Sequence, residues 1–182
     1  MNVQPSDLDD DGDYAESLLI EHRELSGTFP TYLSNSTLVS IWTFFELSAV
    51  RLCHIDLERR GTAAGTSREQ IAKQHARVFG YGQVADYRDK NGLQDKASPE
   101  SQEITNIQLV RNCIAHGNGK VASIKKPADL RAYVEAQEQA GVKSLSIIGD
   151  YLVVLNEYCE YALKTCHSFL TMQLHGIPSR SV

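Results

Sequence analysis

Between positions 38 and 55 the chain places Leu38, Val39, Ile41, Trp42, Phe44, Phe45, Leu47, Val50, Leu52, Cys53 and Ile55, so a helix there is apolar on every face. Such a helix has no side suited to water. It sits at the centre of a fold, buried by neighbouring helices or by a partner chain. Ser34, Asn35 and Ser36 are caps upstream and Gly61 is a stop downstream, which predicts one long helix over 31–60. The remaining elements have to wrap it.

The flanking sequence supplies the wrapping. Residues 14–26 form a helix closed by Gly27, and Thr66 or Ser67 caps another that reaches 79. The stretch 80–98 is polar and reads as irregular. Pro99 then opens a helix whose apolar face holds Ile104, Ile107, Leu109, Val110 and Ile114, with Gly117 as its left-handed cap. Pro127 starts a helix reaching 140. Residues 144–155 alternate about Gly149-Asp150 as a hairpin, and Asn156 caps a last helix to about 174. The expected fold is mainly α: a helical bundle with a small β-hairpin before the C-terminal helix. At 182 residues one domain is expected from position 14 onward, behind a disordered acidic tail over 1–13.

That tail carries the charge imbalance. Asp7, Asp9, Asp10, Asp11 and Asp13 match the net charge of −5, so the rest of the chain balances eighteen acids against eighteen Lys and Arg. A neutral body neither invites nor forbids RNA, since an enzyme gripping one or two phosphates need not be basic. The tail's Asp-x-Asp-x-Asp-Gly spacing imitates half of a calcium loop, but Leu18 stands where the bidentate glutamate is required. No uninterrupted apolar run approaches a membrane span, and the acidic N-terminus does not read as a signal peptide. The four cysteines (Cys53, Cys113, Cys159, Cys166) form no Cys-x-x-Cys pair and read as core residues of a reducing compartment, giving the cytoplasm as the expected location.

Chemistry concentrates at 111–116, Arg-Asn-Cys-Ile-Ala-His, followed by Gly117 and Gly119. It pairs a permanently charged phosphate binder with a side chain that exchanges protons near neutrality. Five residues of ideal helix separate Arg111 from His116 by about 140° and about 7.5 Å, so in one chain they diverge. They address one phosphate if the helix loosens at its glycine end or if two chains meet at a two-fold axis. Asn112 shares the face of His116 and can orient the imidazole or bond a phosphate oxygen. His54 and Glu58 share a face without a third ligand, and 117–120 lacks the spacing of a phosphate loop. No metal or cofactor is expected.

The motif, the small residues at 113–115, the Gly-Asn-Gly after His116 and the hairpin leading into a final helix together resemble the HEPN domain family over about 31–175. HEPN domains are small helical domains of bacterial toxin–antitoxin and phage-defence systems, and their signature is Arg-x4–6-His. The resemblance implies a homodimer with the motifs at one cleft and a metal-independent endoribonuclease acting as toxin or defence effector. His116 would be base or acid, Arg111 the phosphorane stabiliser and Asn112 a positioning residue. An alternative is a non-catalytic HEPN-like dimer binding RNA, a nucleotide or a protein partner such as an antitoxin. At Asn118 the chain departs from HEPN toxins paired with a nucleotidyltransferase antitoxin, which carry there the tyrosine that the antitoxin modifies.

Glu46 is a further candidate for the catalytic site. It sits among Trp42, Phe44, Phe45, Leu47 and Val50, where an unpaired carboxylate is unfavourable. Either an arginine or histidine of the motif helix meets it, as the acidic or polar residue of HEPN core helices suggests, or it lies on a narrow exposed stripe beside Arg51. Lys120, Lys125 and Lys126 follow the motif as candidate contacts to RNA backbone, with solvated loop charge as their other reading.

Overall fold

In the computed structural model of the chain, which describes residues 10–23, 25, 26 and 29–175, helix α1 (Asp10–Arg23) precedes the long helix α2 (Phe29–Ala63). Helical periodicity sorts the apolar run of α2 into two faces. Leu38, Trp42, Phe45, Ala49 and Cys53, spaced by three or four residues, are buried. Phe44 and Leu47 point away and are 74% and 63% exposed, so neighbours within the chain cover one face and not the other. By length and composition α2 is also apolar enough to cross a membrane, although Glu46 and Arg51 interrupt its apolar stretch. Gly61 does not end it. A Cβ there would lie 2.7 Å from Ile71, so the glycine admits a close helix crossing; Gly65, at φ +68°, follows the helix end.

Three further helices follow, α3 (Arg68–His75), α4 (Tyr81–Lys90) and α5 (Pro99–Gly117), then a 3-10 turn (Val121–Ser123) and α6 (Pro127–Gln139). The antiparallel hairpin β1 (Leu145–Ile148) and β2 (Tyr151–Val154) leads into α7 (Asn156–His175). The fold is therefore mainly α with one small hairpin before the last helix. The expected disordered tail lies largely outside the described residues, and α1 begins at Asp10, ahead of the expected start at Tyr14. Helix α3 stops at His75, short of 79, and α4 occupies part of the stretch expected to be irregular.

Helix α4 has a physical explanation. Tyr81, Val84, Ala85 and Arg88 make a thin buried stripe, and Gly80 offers no side chain to cap it. The cap comes from α2: Glu46 Oε1 accepts the Tyr81 backbone N–H at 3.0 Å. This replaces the arginine or histidine of the motif helix as the partner of Glu46. Trp42, Phe45, Tyr81 and Phe169 then cluster with ring centroids 5.1–6.2 Å apart and join α2, α4 and α7. Helices α2 and α7 run parallel, since Cys159 Sγ donates to the Ser34 carbonyl near one end and Phe45 meets Phe169 about three turns on.

Candidate functional site

The motif occupies the last two turns of α5. That helix starts as its sequence dictates, with the Ser98 hydroxyl accepting the Ser101 N–H and Pro99 in the first turn. Its end differs from expectation by one position. Gly117 stays helical and buried because Ile124 and Ser123 pack where a side chain would be, and Asn118 takes the left-handed conformation at φ 49°. Gly119, at φ +78°, returns its N–H to the Cys113 carbonyl at 3.0 Å.

The chain beyond the motif is anchored to the hairpin. Leu152 N–H bonds the Gly119 carbonyl and Val121 N–H bonds the Asp150 carbonyl, both at 2.9 Å, while Lys120 forms a bridge with Tyr151. Asp150 also accepts from the Ala122 N–H and pairs with Arg131 on α6. The C-terminal end of α5 is thus held by β2, the 3-10 turn and α6.

Arg111 and His116 converge within one chain. Arg111 Nη1 lies 3.3 Å from His116 Nε2 and donates to Asn112 Oδ1 at 2.9 Å. The divergence expected from helix geometry belongs to the backbone. A helical side chain leans toward the N-terminus, which carries the His116 ring back toward the long, jointed Arg111. Asn112 bonds the arginine and not the histidine, so its orienting effect falls on the guanidinium. A guanidinium has only N–H donors, so a hydrogen bond at this contact runs from Arg111 to His116 Nε2 and requires the tautomer with its proton on Nδ1. Arg111 Nε is buried without a hydrogen-bond partner among the described residues. His116 is exposed, while Arg111 and Asn112 are half-buried.

The other candidates fall elsewhere. No hydrogen bond or ion pair joins Glu46 to the motif among the described residues; it serves α4. Lys120, Lys125 and Lys126 are exposed beyond the motif, and Lys126 pairs with Asp129 at 3.6 Å. His54 Nε2 bonds the Val78 carbonyl, and its ring stacks on His75 at 4.4 Å. Among the described residues no three His, Cys, Asp or Glu side chains group as metal ligands. All four cysteines are buried free thiols. Burial pushes Cys53 and Cys166 up to about 12 and Cys113 up to about 11.

A second polar centre carries no sequence signal beyond an i,i+4 pair. Asp56, 2% exposed, accepts from Arg60 Nε and from the Tyr87 hydroxyl, each at 2.9 Å. Tyr87 arrives from α4, thirty-one residues away. No family model matches the chain, and neither a curated protein nor a solved structure matches it.

Proposed function

We propose that the chain is a metal-independent endoribonuclease of the HEPN type, a cytoplasmic toxin or defence effector acting on RNA as a homodimer. The observation that carries this reading is the 3.3 Å contact between Arg111 and His116, with Asn112 on the same guanidinium nitrogen. The resting contact occupies the lone pair that a general base needs. An incoming phosphate competes for Arg111, because a guanidinium pairs more strongly with an anionic oxygen than with a neutral imidazole nitrogen.

Once the guanidinium turns to the phosphate, His116 Nε2 is free to take the proton of a ribose 2′-hydroxyl. The 2′-oxygen attacks phosphorus, charge builds on the phosphorane oxygens, and Arg111 stabilises it. The bond to the 5′-oxygen breaks, and that oxygen receives a proton from an imidazolium. The products are a 2′,3′-cyclic phosphate and a free 5′-hydroxyl. DNA lacks the nucleophile and survives. Incubating a defined RNA in EDTA with the wild type and with His116→Ala tests the reading: it requires cleavage by the first and none by the second.

A further inference from the structure

We infer that the groove between the C-terminal turns of α2, α3 with its following turn, and α4 is a binding site for a compact organic phosphate, separate from the motif. Arg60, Arg77 and Lys90 bring three cations to it, while Leu57, Val78 and Tyr87 supply surface for an apolar or planar group. Its volume of about 530 Å³ falls within the ~300–1,000 Å³ typical of small-ligand sites. The acid in the lining, Asp86, is engaged by Lys96.

Two observations set this groove apart from an ordinary charged surface. Asp56, buried beneath it, holds Arg60 through Nε and pins the Tyr87 hydroxyl, so two lining groups from different helices share one buried anchor. An arginine held through Nε keeps its terminal nitrogens for a second anion. The lining itself carries three cations, Arg60, Arg77 and Lys90, against one acid, and that acid is paired with Lys96 outside the lining. Bounding by three elements and the size of the groove favour one nucleotide-sized phosphate over a continuous strand.

The groove is far from the motif. The hairpin ties the motif to the start of α7, and Cys159 places that start at Ser34 of α2. Leu57 lies twenty-three residues further along α2, roughly 35 Å at 1.5 Å per residue.

The test is calorimetry on the full chain at low salt with AMP, inorganic phosphate and adenosine as probes. AMP should bind, phosphate more weakly, and adenosine at least about tenfold more weakly than AMP. Arg77→Gln and Lys90→Gln, exposed and remote from the core, should each weaken AMP about tenfold, while Arg111→Ala leaves it unchanged. The proposal is overturned if AMP gives no heat up to about 5 mM, or if adenosine binds as well as AMP. It is overturned too if Arg111→Ala abolishes binding that Arg77→Gln preserves. A short RNA that binds through Arg77 and Lys90 where AMP does not makes the groove a strand contact, which also defeats the proposal.

Discussion

An arginine donating to a histidine nitrogen restrains that histidine until something better draws it away, and Arg111 stands in that relation to His116. Asn112 holds the same Nη1, so the three residues act as one unit rather than as separate groups. Asn112→Ala should slow single-turnover RNA cleavage by about tenfold to a few hundredfold, the effect of one neutral hydrogen bond worth ~1–3 kcal/mol. Arg111→Lys should be more impaired despite keeping its charge, because the ammonium lacks the planar fork. Adding Asn112→Ala to Arg111→Lys should then change little. Independent, multiplying defects in the double variant would show that Asn112 contacts the phosphate itself.

Elements were legible where their signals are local. Ser98 and Pro99 announce α5, Pro127 announces α6, and Gly149-Asp150 announces the hairpin, because caps and turns are made by neighbours in sequence. Helix α4 was not legible, since the group that caps it stands on Glu46, thirty-five residues earlier. Gly61 misled for a related reason: a glycine that admits Ile71 looks in sequence like a glycine that ends a helix. The motif residues were legible, but their contact was not, because backbone angles omit side-chain reach. Glu46→Ala should destabilise the fold by about 1–2 kcal/mol through loss of a cap. Hydrogen exchange checks the cause: protection should fall first in α4. Uniform loss across α2 would mean that Glu46 supports packing instead.

At the scale of the whole molecule, the thiols report how tightly the core is closed. A thiol raised from 9.0 in the unfolded chain to about 11 or 12 in the fold stays protonated longer when folded. The contribution to stability is therefore full below pH 9 and is lost as pH rises toward about 11–12. Native protein at pH 8 should resist iodoacetamide, all four cysteines should react in urea, and the Tm should fall steeply above pH 9. Ready alkylation of the native chain would mean that the core opens.

The exposed apolar face of α2 bears on assembly. Because one chain suffices to join Arg111 and His116, a dimer is no longer needed for that contact; the case for it rests on Phe44 and Leu47 and on the HEPN resemblance. Sedimentation should show a homodimer, and Phe44→Asp should dissociate it without unfolding. A wild-type monomer at micromolar concentrations would count against the assembly.

We propose that Arg111 and His116 cut RNA through its own 2′-hydroxyl. The most direct measurement follows one RNA oligonucleotide in EDTA, identifies the ends produced, and repeats the reaction with a single 2′-deoxy substitution at the cut position. The expected outcome is a 2′,3′-cyclic phosphate and a 5′-hydroxyl, no cleavage at the substituted position, and no activity in an identically purified His116→Ala protein. Cleavage that persists at the deoxy position, yields a 5′-phosphate or survives His116→Ala would contradict it.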